Sequence, residues 1–216
     1  MMNWKSIAAA TALLAGAAWA QGAGAAVVLS DNFNADVAVL NWAGDSTFTS
    51  IPGPGNVGGQ PSVDLVGTGD GFGNLAFKGN SVDLDGSTGS GFVPAGEIQS
   101  NAILPTGTYT VTFELAGNLR GAPVQTTEVS IGGQTVSFSP AANQGYELVH
   151  HTFVNASGAV DFKDLGPADQ QGDLIDNVVV TTVPEPATWA VMLVGFAGMG
   201  AALRGARRQQ ARAAAA

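Results

Sequence analysis

The chain of 216 residues contains no cysteine. That excludes a disulfide scaffold, thiol catalysis and cysteine-ligated zinc. Positive charge is nearly missing from its middle. Between residues 27 and 183 only Lys78, Arg120 and Lys163 stand against sixteen Asp and Glu, a net charge of −13. A segment that acidic repels phosphate backbones, which argues against nucleic acid as a partner and admits cations. Aromatics are scarce as well: Trp42 is the sole tryptophan of that segment, and Tyr109 and Tyr146 are the only tyrosines. A glycosidase sets two carboxyls of different pKa across a cleft usually lined with aromatic rings, so the scarcity argues against hydrolysis. What is abundant is glycine, thirty residues, alongside frequent Val, Thr and Phe. This favours an all-β domain with many turns over a helical bundle.

The two ends read as processing segments and leave roughly 155 residues, enough for one domain with a real core. Lys5 precedes an apolar run from Ile7 to Ala15, and small-residue sites follow at Ala18-Trp19-Ala20 and Ala23-Gly24-Ala25. A positive start, a short apolar stretch and an Ala-x-Ala site make a secretory signal peptide, over residues 1–25, for the Sec export machinery. A buried N-terminal helix is the alternative, but no polar face interrupts the run. Either Ala-x-Ala site fits cleavage.

At the other end, Pro184-Glu185-Pro186 precedes Ala187 to Leu203, seventeen residues without a charged side chain, and then Arg204, Arg207 and Arg208. At about 1.5 Å per residue the run spans ~25 Å, near the lower limit for a helix crossing the hydrocarbon core. Trp189 would lie at one interface, with the arginines on the cytoplasmic side. Gly195, Gly198 and Gly200 would leave the helix open to a partner helix. These features also fit a buried core helix or a permanent anchor.

Pro184-Glu185-Pro186, Trp189-Ala190, Met192-Leu193, Gly195-Phe196, Gly198, Gly200 and the arginine cluster, in this order, resemble the PEP-CTERM sorting signal, more narrowly its PEPxxWA subtype. Val191 departs from it, since the subtype often has Met there. The resemblance implies recognition by an exosortase, an integral-membrane cysteine protease-like transpeptidase that cuts near the Pro-Glu-Pro. It also implies a Gram-negative bacterium, often one making exopolysaccharide. On that reading the C-terminal helix is a transient stop in the inner membrane, after which the protein reaches the cell surface or extracellular matrix.

Between the ends the pattern has period two. Tyr109, Val111, Phe113 and Leu115 alternate with Thr110, Thr112 and Glu114, which puts the first set on a buried face. Val129 and Ile131, then Val136 and Phe138, flank Gly132-Gly133, the pattern of a tight β-hairpin. Further strands are expected at 27–30, 62–66, 81–84, 98–104, 146–154, 159–162 and 174–182, with residues 50–61 a loop or insertion. No segment of the domain has a convincing helical period. So many short strands predict a β-sandwich, of jelly-roll type, over residues 26–182. The sorting signal occupies 183–208 and a low-complexity tail 209–216.

Ser30-Asp31-Asn32-Phe33, Ser81 to Gly89, Gly107-Thr108-Tyr109, Ala116 to Gly121 and Leu174 to Val178 look like segments of galactose-binding-like sandwich domains. Such domains are related to carbohydrate-binding modules and DUF642-type domains. By position the resemblance implies a structural Ca²⁺ held by Asp31 and Asp176, although the first-strand acid in such modules is more often Glu.

Asp83 and Asp85 lie two apart, and carboxylates so paired could bind Ca²⁺ through hard oxygen ligands. The segment lacks the third ligand and closing Glu of an EF-hand loop, and solvated turn carboxylates are the favoured account. His150 and His151 are adjacent, so on a strand they point to opposite faces and cannot chelate one metal. No Gly-x-Ser-x-Gly elbow supports Ser-His-Asp chemistry. The glycines from Gly67 to Gly73 read as a turn because no helix follows. Arg120 is expected to pair with one of the many carboxylates, and Asn155-Ala156-Ser157 matches a glycosylation sequon. The sequence thus predicts a non-enzymatic exported protein of the exopolysaccharide matrix or cell surface, with polysaccharide as a candidate partner. A structural surface protein without sugar affinity is the next reading, and a polysaccharide hydrolase the third.

Overall fold

A computed structural model of the chain describes residues 24–53, 62–67, 79–87, 96–121, 123–184 and 186–213. The expected signal peptide falls almost wholly on residues 1–23, outside the described residues; so do Glu185 and all of the glycine run but Gly67. Contacts divide the chain into a unit spanning Ala26–Val183 and a second unit containing the C-terminal helix.

The first unit is a sandwich of eleven described strands: β1 (Val27–Asp31), β2 (Phe48–Ile51), β3 (Asp64–Val66), β4 (Ser81–Asp83), β5 (Glu97–Ser100), β6 (Leu104–Ala116), β7 (Thr127–Ile131), β8 (Gln134–Phe138), β9 (Glu147–Gly158), β10 (Val160–Asp164) and β11 (Leu174–Thr182). One sheet runs β3-β4-β11-β6-β9 and the other β2-β5-β10-β7-β8. β1 adds to β11 beyond the point where β4 leaves it, so both strands share one edge of β11. All pairings are antiparallel.

The expected alternation is the basis of the packing. Tyr109, Val111, Phe113 and Leu115 are buried, and from the facing sheet Val129, Ile131, Val160 and Phe162 meet them. A chain of rings links the layers: Phe33 to Phe48 at 5.9 Å, Phe48 to Phe162 at 6.2 Å, Phe162 to Phe113 at 5.1 Å and Phe113 to Phe138 at 5.6 Å. β2 differs from the sequence reading, which assigned Ser50 and Ile51 to a loop. Its two buried positions are Phe48 and Ser50, and a serine at an inward site hides the apolar alternation.

β7 and β8 form the expected hairpin, with Ile131 paired to Gln134 around Gly132 (φ 57°) and Gly133 (φ 86°). Positive φ at both central residues suits the right-handed strand twist. Gly132 also packs against β9, where an added Cβ would lie 1.7 Å from the Ser157 carbonyl oxygen, while at Gly133 it would meet nothing within 4 Å. Gly132→Ala should therefore cost about 2–4 kcal/mol, backbone strain plus overpacking, and Gly133→Ala about 1 kcal/mol. Urea unfolding of the two variants checks the difference; equal losses would show that only the φ angle matters.

The second unit contains helix α1, Pro186–Ala213. Here the sequence reading is corrected: among the described residues no helix is long and apolar enough to cross a membrane. Eight of the seventeen uncharged residues from Ala187 to Leu203 are glycine or alanine, whose side chains offer little apolar surface. At 1.5 Å per residue the charge-free stretch covers about 25 Å, against a hydrocarbon core near 30 Å. Counting uncharged residues overestimated the span, because uncharged is not the same as apolar, and beyond the run the helix carries Arg204, Arg207, Arg208 and Arg212 on to Ala213. The transmembrane sorting helix is thereby overturned, and with it the inner membrane as a partner and the transient anchoring in the expected location.

Candidate functional site

The cleft that contains Asp31, one of the two expected metal residues, lies where β1 meets β11. β11 carries a register shift between Asp176 and Val179, and Asn177 there takes φ 49°. The shift turns Asn177 outward, where its Nδ2 donates to Glu114 Oε2 at 2.9 Å. Across from it β1 ends at Asp31, whose Oδ1 accepts the Phe33 N–H at 2.8 Å. That Asx turn holds Phe33 at φ 53°, an uncommon conformation for a bulky residue. Asp45 makes a similar turn, accepting the N–H groups of Thr47 (2.6 Å) and Phe48 (2.8 Å).

Together these elements line a cleft of about 640 Å³, with Asp31, Asn32, Asp36, Asp45, Thr47 and Asn177 around it. Burial raises the Asp31 carboxyl, opposed by the Phe33 and Thr47 hydrogen bonds and aided by Asp45. Asp176 is pushed up to about 6 by burial, with Glu114 and Asp31 acting in the same direction. The cleft is thus a concentration of oxygen acceptors with negative charge held close together. It can receive hydroxyl or ammonium donors, or attract a cation.

The fold brings Asp31 and Asp176 close enough to influence each other, but each has one oxygen engaged by a backbone N–H, from Phe33 and Asn177 respectively. Among the described residues no three Asp, Glu or His side chains are grouped to hold a metal. Asp36 and Asp45 were not singled out in the sequence. Asp45-Ser46-Thr47 before Phe48 is nevertheless a readable turn signal, since short Asp side chains bond the backbone two residues on.

Asp83 and Asp85 are not solvated turn carboxylates. Both are at most 1% exposed. Asp83 accepts the N–H of Asp85 and Gly172 on Oδ1 and the Arg120 guanidinium on Oδ2. Burial pushes its carboxyl up, against the pull of Arg120. The expected pairing of Arg120 with a carboxylate is therefore made, and made inside the fold. His150 is exposed, whereas His151 sits edge-on to Phe153 at 4.8 Å, on opposite faces as the strand requires.

Of the sorting residues, Pro186, Trp189, Ala190, Gly195, Phe196, Gly198, Arg204, Arg207 and Arg208 all fall within α1, and Pro184 precedes it. Residues 182–208 match the PEP-CTERM protein-sorting motif. No curated protein matches the chain. Among solved structures, the sandwich is similar to the K1 cleaved adhesin domain of Lys-gingipain from Porphyromonas gingivalis. That match has 13% identity and a TM-score of 0.53, covering 72% of this chain and 98% of that one. The K3 cleaved adhesin domain of the same organism's Lys-gingipain matches at 15% identity and TM-score 0.45, covering 74% and 100%. A family 35 carbohydrate-binding module from Paenibacillus barcinonensis matches at 15% and 0.37, covering 68% and 100%. At these identities the likeness is one of fold, and the first overlap is sufficient to show it. The chain joins a match to the PEP-CTERM protein-sorting motif, over residues 182–208, to a sandwich similar in fold to a cleaved adhesin domain.

Proposed function

We propose that the protein is a component of the cell surface or exopolysaccharide matrix of a Gram-negative bacterium, delivered by exosortase cutting near Pro186. Its cleft contacts polysaccharide. The sorting motif at 182–208 supports the destination. The observation that carries the contact is the cleft itself, open and lined by carboxylate and amide groups that accept hydrogen bonds from sugar hydroxyls. Asp31 and Asp176 are the residues that would hold a structural Ca²⁺ at its edge. A second reading, a structural surface protein without sugar affinity, is favoured by one feature: among the described residues of the sandwich no aromatic ring is exposed. In the cleft, whose lining contains no aromatic residue, a sugar would be held by hydrogen bonds.

Intact-mass measurement of the protein recovered from its own cells should show loss of everything beyond about Pro186. The released domain should bind the producer's polysaccharide, with Asp36→Asn weakening it ~10-fold by loss of a charged acceptor. A chain from wild-type cells that still carries Arg204 to Arg212 would sink the sorting step. No binding to any glycan would leave the structural reading in its place.

A further inference from the structure

One side of the sandwich ends in two strand edges, β9 in the first sheet and β8 in the second. Among the described residues no strand pairs with the outer edge of either. β9 is the longer of the two, and the direction of its backbone groups follows from β6. The Val183 N–H donates to the Thr108 carbonyl at 2.8 Å, so the backbone groups of Thr108 face β11. Alternation turns those of Tyr109, Val111 and Phe113 toward β9, where they meet Phe153, His151 and Val149. The N–H and C=O groups of Leu148, His150 and Thr152 are left pointing away from β6. Beyond them the Val154 carbonyl accepts Gln134 Nε2 at 3.1 Å, and Gly132 packs against Ser157, so the β7–β8 turn covers that end of the strand. The uncovered edge runs from Glu147 to Phe153.

A free edge of this kind is a template for another strand, and proteins commonly blunt it with Lys, Pro or an inward charge. From Leu148 to Val154 there is no Lys, Arg, Pro, Asp or Glu. The charge of the domain also thins here: residues 129–160 contain one carboxylate, Glu147, of the sixteen between 27 and 183. Two copies of so acidic a domain repel each other least on this side. Two large apolar side chains stand exposed on the same outer face, Leu148 at 69% and Val154 at 64%. At the inner border Val136, Phe138 and Val149 are only partly buried against the core. Leu148 and Val154 lie three residues to either side of His151. An antiparallel copy centred on His151 therefore sets Leu148 of each chain opposite Val154 of the other.

We propose that the protein forms a homodimer by antiparallel pairing of β9 with β9 of a second copy, about a two-fold axis at His151. His150 of each chain and Thr152 of the other form the hydrogen-bonded pairs, each exchanging two N–H···O bonds. The two His151 residues face each other in a non-hydrogen-bonded pair, with Cα atoms about 4.5 Å apart. Leu148 and Val154 make cross-strand apolar contacts on the outer face, and Val149 meets Phe153 on the inner one. The occupant is a second copy rather than a foreign strand because the side-chain match is to β9 itself. The contact is isologous, so it closes at two chains. It does not depend on whether the cleft takes a sugar.

The chain has no cysteine, so single introduced cysteines report the contact without background. Full-chain His151→Cys, air-oxidised at high micromolar concentration, should run as a disulfide-linked dimer on a non-reducing gel, since Cα atoms that close suit the bond. His150→Cys, at an exposed position out of register with itself, should stay a single chain on the gel. Mixed with Thr152→Cys it should give the cross-linked heterodimer. That mixture uses two exposed positions and decides alone should His151→Cys fail to fold. Adding Leu148→Glu to His151→Cys should slow cross-linking roughly tenfold, because two apolar contacts are lost and two carboxylates enter the seam. Equal cross-linking by His150→Cys and His151→Cys would mean chance collision and overturn the proposal. Preferential cross-linking by His150→Cys would also overturn it, by centring the pairing elsewhere. So would sedimentation of the unmodified chain as a monomer at the same concentration.

Discussion

Replacing Arg120 with methionine should lower the unfolding free energy of the sandwich by about 3–5 kcal/mol. Asp83 is 1% exposed and its partner Arg120 19%, so the carboxylate depends on the guanidinium for its counter-charge. Without it, Asp83 either stays ionised in a low-dielectric interior or takes up a proton, and both cost free energy. The arrangement leaves little room for repair. Asp83 Oδ1 already accepts the N–H groups of Asp85 and Gly172, so the side chain cannot swing to solvent without breaking both. Arg120→Met combined with Asp83→Asn should recover part of the loss, because the amide oxygen keeps those two bonds while the charge is gone. Urea unfolding followed by Trp42 fluorescence measures all three. A loss below about 1 kcal/mol for Arg120→Met would mean the pair behaves like an exposed one.

Phe162→Ala should be as damaging, about 3–5 kcal/mol, for a different reason. Phe162 is fully buried and stands between Phe48 at 6.2 Å and Phe113 at 5.1 Å, so it bridges the two sheets as well as filling space. Strands hydrogen-bonded on both sides cannot close the resulting cavity. Phe138→Ala, at the partly buried end of the same ring chain, should cost clearly less, since neighbouring side chains and water can relax into the gap. The expected signature is a lower urea midpoint with unchanged slope. A changed slope for Phe162→Ala would show instead that the two sheets had stopped unfolding together.

The β6 and β7–β8 segments were legible because alternation is a local property: Tyr109 to Leu115 and the pair Gly132-Gly133 carry their own instructions. The buried acids were half legible. Continuing the inward series Val160, Phe162 by one step puts Asp164 in the core, and stepping back from Ile131 and Val129 puts Thr127 there. Asp85 gave no such sign. Its burial comes from residues 169–171, more than eighty positions away, donating their N–H groups to it. Asp36, Asp45 and Asn177 form one cleft only after β1 has paired with β11. In α1 the absence of charge from 187 to 203 suggested a span that the described helix does not supply.

The missing cysteine, the acidic middle, the inward faces of the strands and the sorting motif could all be read from residue order, because each depends on composition or on neighbours a few positions apart. Which carboxylates lie in the core, which guanidinium meets Asp83 and which N–H groups reach Asp85 were settled by folding alone. Those contacts join residues distant along the chain, and desolvation, the force that shifts their ionisation, exists only once both sheets have closed over them.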